Sequence, residues 1–205
     1  MEMTLADARA LRLPIVGGIG AEWAENGRAV RALDIAAQLR QDRHRPVRVT
    51  ITSNGGSVHE AKRIMHEMMD HRGHVVARVP ERCHSAAGMI LAGAGHRIGR
   101  PGSRYLLHPA AFERDGIFPR RLDANRLRRL AVDADDATET VVKALAARCD
   151  APEWWWRMAI GEGRELGAMG ALNVGLIAEV EGMPDSAAWA TAWRPGVDGT
   201  GRWVG

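Results

Sequence analysis

The chain has 205 residues, 46% of them hydrophobic, and 28 Lys plus Arg face 25 Asp plus Glu for a net charge of +3. A charge so near balance excludes a role resting on a strongly basic nucleic-acid-binding surface, and no apolar run reaches the roughly 20 residues that a bilayer-spanning helix needs. Two cysteines, Cys83 and Cys149, exclude a disulfide scaffold and a four-cysteine zinc site.

The opening stretch MEMTLADARALRLP carries acids early and lacks a secretory layout, so the cytoplasm is the expected compartment. Leu13 to Ile19 reads as a buried strand ending in a Gly turn. Apolar spacing from Gly27 to Arg40 predicts a helix, with Val30, Leu33, Ile35, Ala36 and Leu39 on one side. Val47 to Thr52 alternates and is β-branched, which predicts a strand. Ser53 to Ser57 is a turn, and a methionine-rich helix runs from His59 to His71. Val75 to Val79 is a strand, and Ser85 to Ala94 a small-residue buried helix. Arg97–Gly99 and Tyr105–Leu107 are short strands. The charged stretch Leu122–Arg148 is helical, as are Glu153–Ile160 and Met169–Val174, and Leu176–Val180 is the last strand. Residues 1–182 form one domain, and 183–205 a tail rich in Gly, Pro and Ala.

Strand and helix alternate, which argues for an α/β fold with a mostly parallel sheet. Ligand sites in such sheets gather beyond the carboxyl ends of the strands. Two segments fall there, the turn after Val47–Thr52 and the residues after Val75–Val79, and three features have spacing that suits chemistry. Asn54-Gly55-Gly56-Ser57 is a strand-to-helix turn whose amides suit an anionic oxygen. Ser85 follows a strand and opens an apolar helix; a simple N-cap and an activated nucleophile both fit that position. His108 ends an apolar strand immediately before Pro109.

Together these features resemble the proteolytic subunit family of Clp protease, ClpP, from about Leu13 to Val180. ITSNGGSV is similar to that family's strand and glycine turn, and SAAGMILAGAGHRIGRPGSRYLLHP to its serine helix and histidine strand. Gly56 to Ser85 spans 29 residues (85 minus 56) and Ser85 to His108 spans 23 (108 minus 85). The resemblance implies a ClpP/crotonase-like spiral with a protruding long-helix handle. It implies a serine endopeptidase acting on peptides or unfolded proteins, with Ser85 as nucleophile, His108 as general base, and the Gly56 and Ala86 amides as the oxyanion hole. It implies no cofactor and no metal, a homo-oligomeric ring, and an AAA+ unfoldase as partner. The acid position falls on Gly163. Glu162, its neighbour, is the expected acid, with Glu165 and Asp150 behind it. Without an acid, a catalytically impaired scaffold subunit is the alternative. A crotonase-type acyl-CoA enzyme and a serine–lysine peptidase are more remote. Only Lys62 and Lys143 are lysines, and Lys143 alone suits the lysine role by chain position.

Other features have bland readings. His59 and His66 share a helix without a third metal ligand. Met65, Met68 and Met69 are core or contact filler. Trp154, Trp155 and Trp156 cannot all face one way, so at least one is exposed or covered by another subunit. Arg120, Arg121, Arg126, Arg128 and Arg129 form a solvated or inter-subunit face.

Overall fold

A computed structural model of the chain describes residues 9–24, 28–111 and 123–183. Five parallel strands make the main sheet: β1 (Leu11–Val16), β4 (Val47–Thr52), β5 (Val75–Val79), β6 (His96–Gly99) and β9 (Glu179–Val180), adjacent in that order. Helices α1 (Ala32–Gln41), α2 (Val58–Met69) and α3 (Ala87–Ala92) join the first four. Each crossover moves one place in the same direction. Right-handed crossovers stepping one way put every connecting helix on the same face of the sheet.

That topology explains the burial pattern. A parallel sheet is ordinarily covered on both faces and reads as continuous apolar runs. Here β4 buries Val47, Val49 and Ile51 while Arg48 and Thr50 stay exposed. Arg12, Pro14 and Arg78 are exposed on the neighbouring strands. The helices answer from the covered side: α1 buries Ala32, Ile35, Ala36 and Leu39, and α2 buries Ala61, Ile64, Met65 and Met68. Arg31 makes no side-chain cap for α1. Instead, the Glu60 carboxylate on α2 accepts from the Ala32 amide at 2.6 Å, next to the positive end of the helix.

Two short pairings lie beyond the main sheet. β2 (Gly18–Ile19) runs parallel to β3 (Ala29–Val30), and β7 (Arg104–Leu106) antiparallel to β8 (Glu165–Gly167). The strand expected over Leu13–Ile19 is therefore two, broken at Gly17, where φ is +88°. The helix expected from Gly27 begins only at Ala32, because Ala29 and Val30 pair with β2. The final strand is confined to Glu179 and Val180, and β8 is an element that its three-residue length concealed.

The long helix α4 (Ala124–Ala146) is a single helix of 23 residues. It buries Val141, Val142 and Leu145 near its end, whereas Leu127 and Val132 are 52% and 56% exposed. α5 (Glu153–Gly161) packs on it, with Arg157 bound to Glu139. Trp155 and Trp156 are buried edge-to-face and Trp154 is 40% exposed. α6 (Ala168–Asn173) returns the chain to β9. No helix among the described residues is long and apolar enough to cross a membrane. Arg120, Arg121 and the tail from 184 onward lie outside the described residues.

Candidate active site

The carboxyl ends of β4 and β5 run on as extended backbone and pair with each other. Ser53 bridges Cys83, with the Ser53 amide on the Arg82 carbonyl at 3.2 Å and the His84 amide on the Ser53 carbonyl at 3.0 Å. The Gly55–Gly56 turn is thereby pressed against the Ser85 turn. A Cβ at Gly55 would stand 2.7 Å from Ser85 Cβ and 2.9 Å from the His84 carbonyl, so only glycine fits. Gly56 has a φ of +137° and bridges Ile19. In that bridge Ile19 N–H donates to the Gly55 carbonyl at 2.9 Å and Ser57 N–H to the Ile19 carbonyl at 2.7 Å. The Gly56 amide between them takes no main-chain partner among the described residues, and neither does that of Ala86.

Ser85 is the one described non-glycine residue in the left-handed region, with φ +53°. Such a conformation costs about 1–3 kcal/mol and is typical of a side chain held out on a sharp strand-to-helix turn. It also removes the N-cap reading. The cap position of α3 is Ala86, which makes no side-chain cap bond, and the helix starts at Ala87 rather than at Ser85.

The Ser85 amide donates to the Leu106 carbonyl at 2.7 Å, and the Leu107 amide to the Arg164 carbonyl at 2.8 Å. These bonds lock the serine turn to the strand that carries His108 two residues further on. Ser85 and His108 line one open cleft of about 660 Å³, with Asn54, Gly55, Gly56 and Ser57 on its near wall. No hydrogen bond joins the two side chains among the described residues. Catalytic contacts of this kind often tighten only when substrate is bound.

His108 Nδ1 lies 2.7 Å from the Pro109 carbonyl oxygen. A carbonyl only accepts, so Nδ1 carries a hydrogen, and in the neutral ring Nε2 is then the nitrogen with the lone pair. That is the tautomer a general base needs.

The expected acid is not brought to His108. Glu162 caps the end of α5, and its carboxylate accepts from Arg164 at 2.6 Å. Glu165 pairs with Arg104 at 2.8 Å, and Asp150 lies against the Gly175 turn. None of the three lines the cleft. The reason is local: Glu162 lies two residues from Arg164, and Glu165 on β8 is opposite Leu106 and so diagonal to Arg104 on β7, within reach of its side chain. Lys143 likewise pairs with Glu139 at 3.4 Å on an exposed helix face, away from Ser85.

His84 is an unforeseen neighbour. Its Nε2 is buried with no hydrogen-bond partner among the described residues. Burial lowers its pKa from the ordinary 6.5, and the charges of Arg82 and His108 act the same way against the opposing Glu165. Sequence reasoning missed Glu22 and Trp23, on a 3-10 turn at Ala21–Trp23, and Asp133, Ala134 and Ala137 on α4, all of which line the cleft. One signal was present: Ala134, Ala137 and Thr138 sit three and four apart, a small-residue face on an otherwise charged helix. Among the described residues no group of three His, Cys, Asp or Glu is placed to hold a metal.

No curated protein matches the chain. Among solved structures it is similar to a point mutant of ClpP1 from Listeria monocytogenes, with 20% sequence identity, a TM-score of 0.68, and coverage of 89% of this chain and 96% of that one. That likeness shows the fold. The family model for Clp protease matches residues 25–183, and with this match over most of its length the chain belongs to the Clp protease family.

Proposed function

We propose that this chain is a serine endopeptidase that cleaves peptides or unfolded proteins through an acyl-enzyme on Ser85. His108 Nε2 takes the hydroxyl proton as Oγ attacks the scissile carbonyl, then returns it to the leaving amine. Water enters by the reverse sequence and frees the acyl group. The Gly56 and Ala86 amides receive the oxyanion, each such donor being worth roughly 2.7–4 kcal/mol in the transition state. The observation that carries this reading is Ser85 in its left-handed turn, bonded to Leu106 and sharing a cleft with His108.

The likeness to ClpP further supports assembly into a homo-oligomeric ring through α4. A ring admits extended chains and spares folded proteins, for which an AAA+ unfoldase is the expected partner. Intact mass after treatment with a fluorophosphonate tests the core of the reading. One adduct is expected on the wild type and none on Ser85→Ala. A wild type without an adduct, or a Ser85→Ala variant that still carries one, overturns it and leaves a scaffold subunit.

A further inference from the structure

We infer that Thr138, on the long helix, is a positioning residue for His108 and acts through the Pro109–Ala110 peptide group. Only its kinetic consequence rests on the peptidase reading.

His108 Nδ1 donates to the Pro109 carbonyl at 2.7 Å. The N–H of that same peptide unit, which belongs to Ala110, donates to Thr138 Oγ1 at 2.9 Å. The Thr138 hydroxyl in turn donates to the Ala134 carbonyl one helical turn back, at 2.8 Å. A peptide group is planar and rigid, so anchoring its N–H fixes where its C=O points. The back-bond to Ala134 fixes the rotamer of Thr138. All three donors run the same way, from imidazole to helix, and aligned bonds polarise one another.

This chain of bonds occupies the place where a serine–histidine site has its acid. The acid's work is to hold one tautomer and one ring orientation. With Glu162 on Arg164 and Glu165 on Arg104, no described carboxylate does that work, and an oriented main-chain carbonyl does it instead. The anchor is Thr138, which the sequence places on the cleft-facing side of α4 with Ala134 and Ala137.

The test uses the full-length protein with ¹⁵N-labelled histidine, the His108 signals being assigned by their loss in His108→Gln. The wild type is expected to hold His108 as the Nδ1–H tautomer. Thr138→Val, and Thr138→Ala as a second variant should the first fold poorly, are expected to give a tautomer mixture, and Thr138→Ser to restore the wild-type spectrum. In peptide hydrolysis, Thr138→Val is expected to lower kcat about 10- to 100-fold with KM within about twofold, as for a misplaced catalytic group, and Thr138→Ser to recover it. A wild type in the Nε2–H form, or a folded Thr138→Val or Thr138→Ala with an unchanged His108 tautomer, overturns the inference. So does an effect on KM alone. A tautomer shift in a protein that hydrolyses nothing supports the role of Thr138 and sinks the peptidase reading instead.

Discussion

At Gly55 two turns from distant parts of the chain approach so closely that a methyl group would collide with Ser85 Cβ and the His84 carbonyl. A Gly55→Ala variant must push the serine turn, Ala86 amide included, away from Gly56, whose amide is the other proposed oxyanion donor. Displacements near 1 Å in a catalytic site cost about 100-fold. We expect a loss of that order in kcat/KM and in the rate of phosphonate labelling, with the circular dichroism spectrum unchanged. The opposite is expected at Glu162. Its carboxylate is engaged with Arg164, so Glu162→Gln should change turnover by less than about twofold, as for a charge that is not part of the triad. A loss near the 10⁴-fold typical of a removed triad acid would return Glu162 to the site.

The long helix divides at its middle. Its second half is anchored by Val141, Val142 and Leu145 and by the Glu139–Arg157 pair, whereas Leu127 and Val132 in the first half stand in solvent. Exposed apolar residues on an uncovered helix suit contact with another subunit. The double substitution Leu127→Glu, Val132→Glu is therefore expected to lower the particle mass seen by light scattering. Protomer stability should move by no more than about 0.5 kcal/mol, as is usual for surface positions. α5 behaves as a core element by comparison. Trp156 is fully buried with its indole N–H on the Ala151 carbonyl at 2.9 Å. Trp156→Ala should cost about 3–5 kcal/mol in urea denaturation, the range for an aromatic removed from a core.

Across the whole molecule, His84 couples the site to stability. Its folded-state pKa is depressed below the ordinary 6.5, chiefly by burial. The unfolded chain therefore binds this proton more readily than the folded one. The contribution of a neutral His84 is complete above pH 6.5 and is lost as the pH falls from there toward the folded-state value. The urea midpoint should drop between about pH 7.5 and 5, and His84→Gln should shrink that drop. An equal drop in both proteins would remove His84 as a source. The one-sided sheet is the other property of this scale. Strands stepping in one direction leave Arg12, Arg48 and Arg78 on the face opposite the connecting helices, and the alternation in β4 that makes it easy to read as a strand follows from that difference between faces.

The features legible from residue order alone are local or ordered along the chain. β-branched alternation marked β4, glycines marked the turn at Asn54–Ser57, and the succession of strand, turn, serine, strand and histidine pointed to the family and to the residues of the cleft. Those signals survive in one dimension because backbone preference and side-chain period act over a few residues. The partners of each carboxylate do not. Glu162 was the nearest acid in sequence to the expected position, yet an arginine two residues away holds it, and the group on His108 Nδ1 is a peptide carbonyl that has no side-chain signature at all. The anchoring of that carbonyl by Thr138, 28 residues from Ala110, was decided only by the tertiary structure, because a hydrogen bond is satisfied by whichever donor and acceptor the packing brings within about 3 Å.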